Sequence, residues 1–394
     1  MKAVVSCDEY CAQVRNLYYL RDFGLILVKR YLMVFDEVRL IVRTFQCSSI
    51  NESGKYKNLI DDKRIEIVPM PFFQGPKQFL KNFNDIRNIV SESLKGCDLA
   101  ILRLPSALGF AVWRQIIKDN IPYALELVYD CYDGYRQSTG MDRGIWWIMH
   151  RMQKSACKRA IGIAPVTSKY LQSHYTPTDK SIINSHYSSV EMDDDFFYKE
   201  RKYPNKKIFT LVHVANQIEY RGRKGHEDVI RSIKKLRDEG FNVNVIFIGE
   251  DYNGGIQKLQ QYAEAIDVCE YISFTGFLSS KEMREVLINS DIAILPTRAE
   301  GLPRVVIESM AMGLPCITTN VSGNPELIED EFLFNYGDVN AIVRLIEMLI
   351  SDKEKYEQAS KVNYENSLGF SKRVLDKRRK DFFTDLRNRI EQKT

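Results

Sequence analysis

No two of the eight cysteines stand in a C-x-x-C pair; they are scattered at positions 7, 11, 47, 97, 131, 157, 269 and 316. That spacing implies neither a zinc site nor a disulfide framework. Several fall in apolar runs and read as small core residues. No uninterrupted apolar stretch reaches the length of a membrane-spanning helix. The apolar run in the opening MKAVVSCDEY is too short for a signal peptide. A reducing cytoplasm is therefore the expected location. No metal is required either. The acidic run of Glu191, Asp193, Asp194 and Asp195 lies beside Phe196 and Phe197 in a polar stretch without flanking strand pattern, and reads as a solvated loop.

What is present is material for two domains. The chain has 394 residues, 44% hydrophobic and 27% charged, ordinary for a globular protein. Its net charge of +4 is unevenly spread: residues 1–190 hold 26 Lys and Arg against 18 Asp and Glu, and the remainder holds 30 against 34. A basic first half suits an anionic membrane surface or another anionic partner, or is ordinary surface charge. No nucleic-acid partner is expected.

Strand-like and helix-like segments alternate. In the first half, 2–7, 37–44, 64–70, 98–104, 122–130, 160–166 and 180–185 read as strands. Residues 25–36 and 78–95 carry helical spacing of apolar residues. After a polar stretch at 198–206, the alternation resumes with strands at 208–214, 241–249 and 271–276. Ser279 and Glu282 form a capping-box pattern before a helix. Such alternation predicts an α/β chain with two parallel, doubly wound sheets.

The richest stretch is 291–320, DIAILPTRAEGLPRVVIESMAMGLPCITTN. It reads as strand, loop, helix, strand, with Gly313 at the helix stop. Glu300 lies in the loop and Glu308 inside the helix. The helix start between them should offer unpaired N–H groups and a positive dipole end to a phosphate. Carboxylates beside it suit sugar hydroxyls rather than phosphate. Together these describe a site for a nucleotide sugar.

EGLPRVVIESMAMGLPCITTNVSGNPELI, with its E-x7-E pattern, resembles the signature of family 4 retaining glycosyltransferases. The resemblance implies the GT-B fold, two Rossmann-like domains facing across a cleft. Its expected bounds are 1–197 for an acceptor-binding domain, 198–206 for a hinge and 207–365 for a nucleotide-sugar domain. A last helix, 366–394, would cross back to the first domain. The resemblance assigns Glu300 to the transferred sugar and Glu308 to the ribose. It gives Lys224, in a Lys-Gly-His run, to the donor phosphate. The partner arginine's usual place holds Glu219, so Arg221 or Arg223 takes that role. Backbone groups near Gly301, Leu302, Arg304 and Val305 would bind phosphate or sugar. Pro303 stands where many members have glycine and has no N–H to donate. Phe274 and Phe277 would flank the base. The following VSGNPE resembles the family's Gly-Gly-x-x-E element, where a glycine lets backbone approach a ligand.

In the first half, RLPSALGFAVW followed by PYALELVYD resembles bacterial surface-polysaccharide glycosyltransferases. That places Arg103, Glu126 and Asp130 on the acceptor side; alternatively Arg103 pairs with a nearby carboxylate and closes the sheet end. Two features of many members are missing: a Gly-Gly loop after the first strand, and a histidine near the fifth. The basic, Trp-bearing segment 144–162 either lies in a membrane interface or buries its aromatic stripe.

The expected activity is transfer of a sugar, with retained configuration, from a UDP- or GDP-sugar to a hydroxyl of a glycan or lipid-linked acceptor, without metal or other cofactor. The expected place is the cytoplasm, peripherally at the inner membrane face. Alternatives on the same fold are a phosphorylase or epimerase, a catalytically silent nucleotide-sugar-binding protein, or a membrane-surface scaffold of a polysaccharide assembly complex.

Overall fold

Apolar runs of four to six residues flanked by polar turns become the central strands. The computed structural model describes residues 1–138, 140–177, 179 and 181–392 (for 140 and 141 the backbone alone). The chain divides into two compact units, Met1–Tyr187 with Asp376–Thr394, and Ser188–Leu375.

The first unit holds β1 (Lys2–Val14), β2 (Leu17–Leu20), β3 (Glu37–Cys47), β4 (Asn58–Leu59), β5 (Ile65–Met70), β6 (Leu99–Leu104), β7 (Tyr123–Leu127), β8 (Gly162–Pro165) and β9 (Ile183–Asn184). The parallel body runs β5-β3-β1-β6-β7-β8-β9, with β2 and β4 added antiparallel on the far end of β1. β6 and β7 are covered on both faces, so LAILRL and YALEL are nearly all apolar. Arg103 and Glu126 interrupt them side by side, as register partners.

Several segments differ from the sequence reading. β1 continues through a bulge between Ser6 and Tyr10 to Val14, because β3 keeps pairing with it beyond the irregularity. The helix expected over 78–95 is two, Gly75–Lys81 and Phe83–Ser93, broken at Asn82, whose side-chain amide donates to the Phe72 carbonyl at 3.2 Å. The strand expected from 180 is only Ile183–Asn184, and Lys180 lies outside the described residues.

The second unit is a six-stranded parallel sheet, β12-β11-β10-β13-β14-β15. Its strands are β10 (Phe209–Ile218), β11 (Val243–Asp251), β12 (Ile272–Phe274), β13 (Ile292–Leu295), β14 (Cys316–Thr319) and β15 (Leu333–Phe334). From β10 the chain winds outward through β11 and β12, then restarts at β13 on the other side. The order reverses between β10 and β13. Ligands of doubly wound sheets sit beyond the strand carboxyl ends at such a switch.

Residues 198–206, expected as a hinge, are tied into this unit. The Arg201 guanidinium donates to the carbonyls of Met312, Ile288, Ser290 and Leu287 at 2.7–3.0 Å. The last helix, Lys372–Glu391, places Phe382, Phe383 and Leu386 in the first unit's core. Phe383 packs on Tyr31 at 5.2 Å between ring centroids and on Phe35 at 5.9 Å.

Candidate functional site

Three loops meet at the switch point of the second unit. The first, after β10, carries Arg221, Arg223, Lys224 and Gly225. The second, after β13, carries Glu300, Gly301, Leu302 and Pro303. The third, after β14, carries Ser322 and Gly323. Lys224 and Glu300 form an ion pair, with 24% and 14% of their side chains exposed. Gly225 has φ +66°, and a Cβ there would overlap the Pro296 carbonyl oxygen. Only glycine lets the first two loops approach so closely. The Arg298 amide donates to the Arg223 carbonyl at 3.0 Å. The third loop holds the second: Ser322 Oγ accepts from the Glu300 amide at 3.2 Å, and the Gly323 amide donates to the Gly301 carbonyl at 3.1 Å.

Beneath lies a floor of buried hydroxyls. Thr318 Oγ1 donates to the Leu295 carbonyl at 2.8 Å and Thr319 Oγ1 to the Thr297 carbonyl at 2.6 Å. Asn324 Nδ2 donates to Thr318 Oγ1 at 2.8 Å. These bonds fix where β13 ends and its loop begins.

The helix Arg304–Ala311 starts beside Glu300. Pro303 is its N-cap, and no side chain caps it. Amides of a helix's first turn, such as that of Val305, have no carbonyl of their own helix to bond and are open to a partner outside it. Glu308, one turn on, is partly buried, and no described residue hydrogen-bonds its carboxylate. Burial pushes that carboxyl above the ordinary range, against the pull of the Arg304 guanidinium. A half-buried, unspent carboxylate near an uncapped helix start can accept hydrogen bonds from hydroxyls while the amides take an anion.

Under Lys224 sits a pair of buried histidines. His213 Nε2 lies 2.8 Å from the Lys224 carbonyl oxygen. Its ring packs 4.6 Å from that of His226 and 5.3 Å from that of Phe247. Burial lowers His213 to a pKa of about 4 and His226 to about 2, so both are neutral. His213 Nε2 thus carries the proton and donates to the loop. Phe274 stacks on Phe247 at 5.2 Å. Phe277 is 69% exposed and has no ring partner among the described residues.

Arg221 and Arg223 are both exposed. Arg221 is left-handed at φ 58°, its amide donates to Glu227 at 2.5 Å, and its guanidinium lies over Tyr220. No described residue pairs with the Arg223 guanidinium.

The sequence reading missed Ser322 and His213. VSGNPE drew attention to its glycine, yet Gly323 has φ −84°, and the left-handed residue is Ser322 at φ 50°.

In the first unit, Arg103 donates to Glu126 at 2.7 Å, and the hydroxyls of Tyr31 and Tyr187 donate to the same carboxylate at 2.6 and 2.8 Å. Burial alone would raise the Glu126 carboxyl; Arg103 and the two hydroxyls outweigh it and hold it low. Asp130 is fully buried, caps the helix Cys131–Gln137, and receives His174 Nδ1 and the Tyr175 hydroxyl. Both carboxylates therefore spend their oxygens inside the fold. Among the described residues, no group of three or more His, Cys, Asp or Glu side chains is gathered as metal ligands.

Residues 191–366 match the family described as glycosyl transferases group 1. The chain is 28% identical to protein CapJ of Staphylococcus aureus, over 94% of this chain and 92% of that one. It is 26% identical to the capsular polysaccharide biosynthesis glycosyltransferase CapM of the same organism, over 54% of this chain and 58% of CapM. Among solved structures, HepE of Anabaena in complex with UDP superposes with a TM-score of 0.68 at 13% identity, covering all of both chains.

Proposed function

This chain belongs to the group 1, family 4 retaining glycosyltransferases of the GT-B fold, and on that premise we propose that it moves a sugar from a UDP-sugar to a hydroxyl of a growing surface polysaccharide or its lipid-linked precursor. The observation that carries the donor half is the Lys224–Glu300 pair at the switch point, beside an uncapped helix start.

In this reading Lys224, with Arg223 reaching from the same loop, neutralises the diphosphate. The amides of Arg304 and Val305 take a phosphate oxygen. Glu308 accepts from the ribose hydroxyls, and Glu300 orients the transferred sugar. Phe274 and Phe277 lie toward the base. Retention then follows from attack on the face the leaving group departs. The bond from the anomeric carbon to phosphate oxygen breaks, the acceptor oxygen bonds to that carbon, and the acceptor proton passes to the departing phosphate. The protein positions the partners and stabilises charge on the leaving group. UDP is favoured as the carrier because HepE, similar over its whole length, is solved with UDP. Polysaccharide as the product is favoured by the likeness to CapM.

Membrane contact is favoured by one surface. On the helix Gly140–Arg159, Trp147 and Ile148 are 46% and 52% exposed, and Arg151 lies across the Trp147 ring. A basic, aromatic face suits an anionic bilayer surface. No helix of the described residues is long and apolar enough to cross a membrane.

Calorimetric titration of UDP, GDP and ADP against wild type and Glu308→Ala tests the donor site. Selective binding of UDP, weakened in the variant, is the expected result. Folded protein that binds none of the three would remove the donor assignment.

A further inference from the structure

His174 is built differently from the two histidines of the second unit. His213 and His226 are sealed in the second unit's core. His174 has one end fixed and one end open. Its Nδ1 meets Asp130 Oδ2, and Asp130 is wholly buried. The imidazole itself is 32% exposed, and no described residue bonds its Nε2.

The carboxylate behind it is anchored beyond what capping a helix needs. Asp130 takes the Tyr132 amide at 2.7 Å as an N-cap, then the Tyr175 hydroxyl on the same oxygen, leaving Oδ2 for the imidazole. His150 lies behind Tyr175, 3.2 Å from its hydroxyl. The rings of Tyr170 and Tyr132 stand edge-on to the imidazole at 4.7 and 5.8 Å between centroids. They fix its tilt. An ionised carboxylate can only accept, so Nδ1 must carry a proton. In the neutral ring that makes Nε2 a lone-pair acceptor directed away from Asp130.

The place matters as much as the geometry. Asp130 follows β7 and His174 ends the short helix after β8, so the group sits beyond the carboxyl ends of adjacent strands. That is where doubly wound sheets take ligands. A ring nitrogen held in place from behind and partly open to solvent suits a sugar hydroxyl.

We infer that His174, oriented by Asp130, is a binding residue for a hydroxyl of the carbohydrate acceptor. This rests on the glycosyltransferase reading but not on the donor site. It also relocates the acceptor role within its own cluster: Asp130 works through His174 as a positioning residue.

The test uses the full chain labelled with 15N-histidine, which has only five such residues. Methyl glycosides of the common hexoses and N-acetylhexosamines are titrated while imidazole nitrogens are followed. At least one glycoside should move His174 Nε2 saturably and leave His213 and His226 unmoved. His174→Ala should weaken that glycoside about tenfold, the loss of one hydrogen bond in a shaped site, with UDP affinity unchanged. Asp130→Asn should weaken it similarly, with its imidazole signals showing the changed tautomer. His174→Gln, which keeps an acceptor near the same place, should recover part of the affinity. A His174 signal that no glycoside moves, or His174→Ala binding the glycoside as wild type does, overturns the assignment. UDP is titrated separately, so its failure to bind would remove the donor reading while the histidine signal still decides this one.

Discussion

Lys224 and Glu300, 76 positions apart in sequence, close an ion pair across the ends of β10 and β13. One side chain is assigned to the diphosphate and the other to the sugar, so their mutants should separate. Lys224→Met should weaken UDP between about tenfold and a hundredfold, the range for losing a hydrogen bond between charged groups. Glu300→Gln should leave UDP affinity intact or raise it, since Lys224 is released, and should cut sugar transfer by a similar factor. Calorimetry with UDP and turnover of a UDP-sugar check both. Equal loss of UDP binding in the two variants would make the pair structural.

Gly225 should tolerate no side chain. At φ +66° any other L-residue pays about 1–2 kcal/mol, and the overlap with the Pro296 carbonyl adds to it. Gly225→Ala should therefore lower the melting temperature by several degrees and weaken UDP. Gly240→Ala is the control. Gly240 also has a positive φ, +90°, but a Cβ there meets nothing within 4 Å. It should cost only the backbone share and leave UDP binding alone. Thermal melts with and without UDP distinguish the two.

Stability should fall in acid before the carboxylates titrate. His213 and His226 are neutral in the fold, at about 4 and about 2, against 6.5 for a free histidine. Below pH 6.5 the unfolded chain therefore binds protons that the folded chain refuses. Each group should remove about 1.4 kcal/mol per pH unit, His213 until about pH 4 and His226 further down. His213→Gln keeps a donor toward the Lys224 carbonyl and should remove its share of the slope between pH 6.5 and 4, leaving that of His226. Urea unfolding across that window gives the slope directly.

The sequence disclosed those parts of the site whose signals are local. The strand, loop and helix around Glu300 and Glu308 lie within one contiguous stretch, and their periodicity and turn residues were readable in place. Lys224 was found through the Lys-Gly-His run next to it. What stayed hidden was made by distant pairing. Glu126 meets Tyr31 and Tyr187 across 95 and 61 positions, and Asp130 meets His174 across 44. Nothing in the spacing around either carboxylate announces such partners. Residues 198–206 were polar enough to read as a hinge because Arg201's value lies in four carbonyls 86–111 positions away. A buried guanidinium and a solvated one look alike in a sequence. Ser322 was masked by the glycine beside it.

Glu308 should trade stability for binding. Its carboxyl is raised by burial, so the folded state holds its proton more tightly than the unfolded state does. The sign follows: stability falls as pH rises from the free glutamate value through the raised one, and the penalty persists at neutral pH. Glu308→Gln removes the charge and keeps the shape. At pH 7 it should melt at or above wild type, and it should bind UDP about tenfold more weakly because one strong acceptor for the ribose is gone. Deoxyuridine diphosphate, lacking a ribose hydroxyl, should discriminate less between the two proteins. A variant that loses stability instead would place Glu308 in an internal role.

Arg103 and Glu126 decide between an acceptor site and a sheet clamp. They are register partners on β6 and β7, and Glu126 is nearly enclosed by Arg103, Tyr31 and Tyr187. If the cluster is a clamp, Arg103→Met strands a buried carboxylate and should cost about 3–5 kcal/mol. Adding Glu126→Gln to Arg103→Met removes the orphaned charge and should return much of that loss. Tyr31→Phe and Tyr187→Phe should each cost about 1 kcal/mol, one buried hydrogen bond. UDP affinity should stay unchanged throughout, because these groups lie in the first unit and the three loops proposed to hold the donor lie in the second. Urea unfolding of the three single variants, of Glu126→Gln alone and of the double mutant measures the coupling. The acceptor role makes the opposite demand. Glu126→Gln would then unfold within about 1 kcal/mol of wild type yet lose transfer to the acceptor, since a neutral amide keeps the packing but not the charge-assisted hydrogen bond to a substrate hydroxyl. The geometry favours the clamp, because a carboxylate that already accepts from a guanidinium and two buried hydroxyls has little capacity left for a ligand.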